Sequence, residues 1–189
     1  KSVCSDVNKG DYFHDAVVTL TNERVLNGYG DQTFRPNVPT TRGHIAIVLT
    51  RVLGLKASQY VNIQDMPETH DTYEYAAAAI LSGLMYTDEF NNFNPKDELS
   101  RYEYAEILTR AYNLTPTYKK KHQFKNVPAQ YAVAVQTVYD HGLMRGISRT
   151  DFGGELNITR GQMAVTLINA RGLSNSEPTF TDFQEAEII

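Results

Sequence analysis

Thr41-Arg42-Gly43, Ser100-Arg101-Tyr102 and Thr159-Arg160-Gly161 are three versions of one tripeptide. Their arginines are 59 residues apart both times (101 − 42 and 160 − 101). Eight residues before each arginine stands a phenylalanine: Phe34, Phe93 and Phe152. Self-similarity at a fixed period signals repeated supersecondary units that bury their apolar faces against one another. A binding feature of one unit can then exist three times.

Around each tripeptide the pattern reads helix, irregular loop, helix. In the first repeat, Ala16, Val17, Leu20 and Val25 mark a short amphipathic helix. Asn27-Gly28-Tyr29-Gly30-Asp31 is a turn-forming cluster, and Pro36 keeps Phe34-Arg35-Pro36-Asn37 out of a helix. Ile45, Ala46, Val48, Leu49, Val52 and Leu53 carry the second helix, which should end near Gly54. The second repeat matches with Tyr75, Ala79 and Leu84, then Phe93-Asn94-Pro95, then Tyr104, Ile107, Leu108 and Ala111. The third matches with Ala134, Val138 and Leu143, then Phe152, then Met163, Ala164, Leu167 and Ile168. Each second helix reads as more apolar than its first. The fold class is therefore mainly all-α. Three second helices form a central three-helix bundle of one pseudo-threefold, three-lobed domain, with grooves between neighbouring repeats.

Composition narrows the function. The chain has 189 residues, 41% apolar and 21% charged, which suits a folded domain. Its net charge of −4 argues against a nucleic-acid partner, which needs a concentrated basic surface. Lys119-Lys120-Lys121-His122 reads as a solvated linker. One cysteine, Cys4, excludes an internal disulfide and any CxxC metal finger. No apolar run reaches the roughly 18 residues of a membrane span, and no signal peptide is visible. No metal or other cofactor is expected: the loop at residues 27–37 lacks the alternating acids of a calcium site.

The helix starts carry the chemistry. Ser100-Arg-Tyr-Glu103 and Thr159-Arg-Gly-Gln162 fit a capping box. Thr41 can also cap, but His44 replaces the acid or amide partner. Each arginine thus occupies the first helical position, where the macrodipole already disfavours a cation. Two uses stay open. Free backbone N–H groups, a positive helix end and a guanidinium fork suit a carboxylate or phosphate ligand. Alternatively, each arginine pairs with an acid at a repeat boundary, such as Asp6 in Cys4-Ser-Asp-Val7 or Asp65 in Ile63-Gln-Asp-Met66.

In these residues the chain resembles the S-layer homology family. Gly28-Tyr-Gly-Asp-Gln-Thr-Phe-Arg-Pro-Asn37 is a near-complete match to the family loop, with Gln32 for the usual glycine. The three arginine tripeptides stand for the motif that opens the family's second helix. The resemblance divides the chain into repeats at residues 4–57, 62–115 and 123–173, with a tail at 174–189. In the tail, Phe180-Thr-Asp-Phe183 looks like another opening segment. The resemblance implies a secreted, non-catalytic, monomeric module of the bacterial cell wall or surface layer. Its partner is a peptidoglycan-linked secondary cell wall polysaccharide ending in pyruvylated N-acetylmannosamine, held in grooves between repeats. Carried across, the ligand-binding residues are Asp6, Tyr12, Gly28 and Arg42 in the first repeat, Asp65 and Arg101 in the second, and Tyr131, Gly146 and Arg160 in the third.

Departures mark where the grooves should differ. The family's aromatic is usually Trp, and this chain has none, so Tyr12 and Tyr131 take the sugar-stacking role. The second repeat has Tyr86-Thr-Asp-Glu-Phe90 in place of the glycine loop, so its groove should be the weakest or altered; its nearest aromatic candidate is Tyr73. Asn126 stands where the third repeat should carry an acid. The competing functions are a surface-layer assembly module using protein contacts and a polysaccharide-processing enzyme. The enzyme reading rests on Asp88-Glu89 and Asp97-Glu98, adjacent residues in turn-like sequence that seldom present converging carboxyls. The five histidines show no triad context. His44 falls at a helix start near the first groove, as a hydrogen-bond donor to ligand.

Overall fold

A computed structural model describes residues 4–174. Among these residues six α-helices form, two per repeat: α1 His14–Asn22, α2 Arg42–Leu53, α3 Tyr73–Leu81, α4 Arg101–Ala111, α5 Ala132–Asp140 and α6 Arg160–Ser174. A 3-10 turn at Ala129–Tyr131 leads into α5. Among the described residues no sheet forms; two isolated bridges join Pro39 to Thr159 and Thr41 to Glu98. The all-α reading therefore holds. No helix of the described residues is long and apolar enough to cross a membrane.

The chain divides into two compact units. One comprises the residues up to Leu99 together with Asn157–Gln162; the other comprises Ser100–Leu156 and the chain from Met163. In the first, α2 packs on α3; in the second, α4 packs on α5. The first turn of α6 belongs to the first unit and its remainder to the second.

The period of 59 governs the boundaries. α1, α3 and α5 start at 14, 73 and 132, and each is nine residues long. Each stops at a left-handed residue: Arg24 (φ 61°), Gly83 (φ 77°) or Gly142 (φ 69°). The reversal excludes Val25, Leu84 and Leu143 from these helices, one turn short of the span their hydrophobicity suggests. α2 ends as expected at Gly54, left-handed at φ 65°. The second helices start on their caps. Thr41 Oγ1 accepts from His44 N (3.2 Å), Ser100 Oγ from Glu103 N (3.1 Å) and Thr159 Oγ1 from Gln162 N (3.1 Å). Only Gln162 returns the favour, its Oε1 accepting from Thr159 N at 3.1 Å.

Phe34, Phe93 and Phe152 are buried completely or nearly so and fix the loops to the helices. The expectation that every second helix is the more apolar holds in the first repeat alone; in the second and third the first helix is the more apolar. α3 buries four consecutive alanines, Ala76–Ala79, while α4 carries Arg101, Glu103, Glu106 and Arg110. Small side chains let α3 be buried on several sides, whereas α4 buries a stripe of Tyr104, Ala105, Ile107 and Leu108. The Tyr104 hydroxyl, inside this stripe, bonds Thr166 Oγ1.

Asp6 and Asp65 brace the loops. The Asp6 carboxylate accepts from Phe34 N and Arg35 N, both at 2.7 Å. Asp65 accepts from Phe93 N and Asn94 N at the same distances. The braced residues Arg35 (φ 58°) and Asn94 (φ 56°) are left-handed, a conformation costing a side-chain-bearing residue about 1–2 kcal/mol. In the third repeat Gly153 takes that conformation (φ 68°) without a Cβ. This explains why Asn126 can stand in place of the acid: the strain that Asp6 and Asp65 hold in check is missing there.

Candidate functional site

Each arginine grips the loop of the next repeat. Arg42 Nε donates to Phe93 O (2.9 Å) and Nη2 to Tyr86 O (2.7 Å). Arg101 Nε donates to Phe152 O (3.3 Å) and Nη2 to Arg145 O (2.5 Å). Arg160 Nε donates to Phe34 O (2.9 Å) and Nη2 to Asn27 O (3.0 Å). The order of the joints is thus repeat 1 to 2, 2 to 3 and 3 back to 1. Each guanidinium also lies over the phenylalanine ring of the loop it grips, at 5.0 Å for Arg42 and Arg101 and 4.5 Å for Arg160.

This geometry corrects two sequence expectations. Arg42 does not join Asp6 and Gly28; it serves the second loop, and Arg160 serves the first. Nor are the helix N-termini open to a ligand. The first two N–H groups of each helix donate to loop carbonyls: Arg42 N to Asp97 O and Gly43 N to Pro95 O; Arg101 N to Leu156 O and Tyr102 N to Gly154 O; Arg160 N to Val38 O and Gly161 N to Pro36 O, all between 2.8 and 2.9 Å. The third N–H goes to the capping hydroxyl. The cation at the first helical position is tolerated because its fork points away from the helix end, at carbonyl oxygens. The alternative pairing with Asp6 or Asp65 is not what occupies those acids, since both bind backbone N–H groups.

Close packing at the joints follows a complementary rule. Gly43 and Gly161 face Pro95 and Pro36, and a Cβ on either glycine would meet the proline at 2.9–3.2 Å. At the joint of repeat 2 to 3 the large partner is Tyr102 and the small one is Gly154, whose added Cβ would enter the tyrosine ring. Tyr102 stacks on Tyr131 (4.6 Å, 2° between planes) and on Phe152 (5.7 Å, 19°).

An open cavity of about 360 Å³ lies at the joint between Arg160 and the first loop. Asn27, Gly28, Tyr29, Thr41, His44, Ile47, Arg51 and Arg160 line it, with Val25 and Pro39, and all of them lie in one compact unit. No carboxylate is among them. Arg160 is 5% exposed, and burial lowers its pKa from the usual guanidinium value. Its Nη1 lies 3.2 Å from the His44 ring nitrogens. A neutral imidazole can accept that bond, and His44 is held neutral. Its pKa is pushed down to about 4, first by burial and then by the Arg160 and Arg51 charges.

Of the sequence-expected residues, Arg160 and Gly28 line this cavity. Asp6 supports it indirectly, through Phe34 and Arg35. Tyr12 is 65% exposed and packs edge-on against Phe13. Tyr131 is not its counterpart: Phe13, Thr72 and Tyr131 share the position before the first helix of each repeat. Gly146 sits in the third loop, where a Cβ would strike the Phe124 ring and the carbonyls of Ser148 and Asp151. Asn27, Tyr29 and Arg51 escaped the sequence reading. The available signal was Arg51 in the last turn of α2, beyond the family motif.

The S-layer homology domain model matches residues 5–46, 62–105 and 124–164. An endoglucanase of Bacillus sp. (strain KSM-635) is 28% identical over 85% of this chain and 18% of its own length. An uncharacterized cell wall amidase of Bacillus anthracis is 34% identical over 51% of this chain and 18% of its own. The surface-layer 125 kDa protein of Lysinibacillus sphaericus is 31% identical over 58% of this chain and 9% of its own. The chain therefore spans less than a fifth of each of these relatives. Three matched segments in one order and period, covering most of the sequence, place the chain in the S-layer homology domain family.

Proposed function

We propose that this chain is a non-catalytic anchor. It holds a larger protein at a bacterial cell surface by binding an acidic secondary cell wall polysaccharide, with pyruvylated N-acetylmannosamine as the terminal group recognised. The three repeats contribute to one anchoring function. The observation that carries the reading is the cavity at Arg160. It brings two guanidinium groups and an imidazole to one opening with no carboxylate in its lining, as a negatively charged saccharide requires. Tyr29 and Thr41 add a ring face and a hydroxyl for the sugar. The relatives support it too, since a cell wall amidase and surface-layer proteins share this segment with glycan-degrading enzymes.

A cavity of this size holds one or two sugars and binds them weakly. Contacts at more than one repeat on a single polymer raise the apparent affinity about 100-fold or more. Hydrolysis has little support: Asp88, one of the acids it would need, accepts from Phe90 N, Asn92 N and Asn94 Nδ2 in its own loop. Those bonds, the Asn94 amide foremost, hold its carboxyl below the ordinary range. The test is isothermal titration with purified wall polysaccharide before and after chemical removal of the ketal. Heat that disappears with the ketal supports the reading. Equal heat from both forms, or none at millimolar ligand, removes it.

A further inference from the structure

The motif arginine of the first cavity is fully employed. Nε and Nη2 of Arg160 hold Phe34 O and Asn27 O, Nη1 faces His44, and the side chain is buried. Arg51 differs in each respect. It lines the same cavity, is exposed, and has only a weak contact to the Tyr75 hydroxyl at 3.5 Å, with the ring 5.4 Å away.

The repeats supply an internal comparison. Fifty-nine residues on, Arg51 corresponds to Arg110 (51 + 59). Arg110 forms an ion pair with Glu106 one turn back, at 3.3 Å. The residue matching Glu106 in the first repeat is Ile47 (106 − 59), an apolar member of the cavity lining. The third repeat has Asn169 and Val165 at these positions (51 + 118 and 47 + 118). So the first repeat alone keeps a guanidinium at this position while dispensing with the acid that would neutralise it. His44, where the other repeats have Glu103 and Gln162, extends the same change along one helix face.

From this arrangement we infer that Arg51, rather than the motif arginine Arg160, meets the carboxylate of the ligand in the first cavity, and that Ile47 is the specificity-determining substitution that leaves it able to do so. Arg160 is a positioning residue that holds the loop and shapes the opening. The inference rests on the proposed reading that the ligand is an acidic saccharide, and it names the group that selects for the acid. A planar guanidinium at the mouth can close a bidentate pair with a carboxylate. A buried one with each nitrogen already bonded must break a bond to do the same.

The test uses the full chain in four forms: wild type, Arg51→Gln, Ile47→Glu and Arg160→Lys. The probes are the pyruvate-ketal methyl glycoside of N-acetylmannosamine, the same glycoside without the ketal, and pyruvate ion alone. Arg51→Gln is expected to weaken binding of the ketal sugar by about 10- to 100-fold, to leave the ketal-free sugar unaffected, and to keep the wild-type Tm. Ile47→Glu recreates the Glu106–Arg110 pairing and should cause the same selective loss. Arg160→Lys should lower Tm as well as affinity. Wild-type affinity for the ketal sugar in a folded Arg51→Gln would overturn the inference. Arginine Nε–H NMR signals with pyruvate separate the two levels of the argument. Should the sugars fail to bind while pyruvate shifts Arg51 and not Arg160, the glycan reading falls and the Arg51 assignment stands. A shift confined to Arg160 refutes the assignment whatever the sugars do.

Discussion

Tyr102 and Gly154 exchange the large and small partners found at the other two joints, and this makes a quantitative prediction. Tyr102 is 8% exposed and stacked between Tyr131 and Phe152. Tyr102→Gly removes a ring burying about 150–250 Å², worth about 4–6 kcal/mol at about 25 cal/mol/Å². Partial collapse of the neighbours brings the expected loss to about 3–5 kcal/mol. Gly154→Pro alone forces new atoms into the tyrosine ring, which cannot swing aside between two stacked rings, and should cost about 3 kcal/mol. The double variant recreates the Gly43–Pro95 and Gly161–Pro36 arrangement. It should be more stable than the sum of the single losses by about 2 kcal/mol, within the range for residues in contact. Urea unfolding followed by far-ultraviolet circular dichroism gives all four corners of the cycle, provided the slopes agree. Additivity within about 0.5 kcal/mol would refute the claim that the two positions are matched as a pair.

Three further outcomes follow from the same contacts. His44 has its pKa lowered from 6.5 to about 4 in the folded chain. The unfolded state therefore binds more protons between those values, and stability falls as pH drops through them; the loss between about pH 7 and 5 is about 2 kcal/mol, and His44→Gln should flatten that part of a pH-dependent unfolding curve. Asp65→Ala should cost about 2–4 kcal/mol in urea unfolding, because two charge-assisted bonds to Phe93 N and Asn94 N vanish. Adding Asn94→Gly should restore about 1 kcal/mol by removing the left-handed strain, as Gly153 does in the third repeat; no recovery would contradict that account of Asn126. Arg101→Lys keeps the charge but loses the fork that holds Phe152 O and Arg145 O, and should lower stability by about 2–3 kcal/mol in the same assay.

What was legible in the sequence was local. The caps at Thr41, Ser100 and Thr159 act over three residues, and the left-handed Gly54 ends α2 where a glycine should. Periodicity extended the same readings from one repeat to three. The partners of the arginines were not legible in this way. Arg160 reaches Asn27 across 133 residues of chain, and no spacing rule says that a third copy returns to the first. The helix N–H groups were read as free because sequence shows a helix start but not the carbonyls brought against it. Arg51 was missed for a related reason. Its importance comes from an absence, the acid replaced by Ile47, which becomes visible only when the cavity shows that both residues face one opening.

The return of the third arginine to the first loop makes that loop depend on a copy that lies more than a hundred residues further along the chain. Two copies, or a chain cut ahead of α6, would leave the Asn27 and Phe34 carbonyls without their guanidinium. Loss of a repeat by recombination is therefore a structural event felt at the far end of the array. A protease that severs the third copy would disarm a cavity whose other lining residues all come from the first.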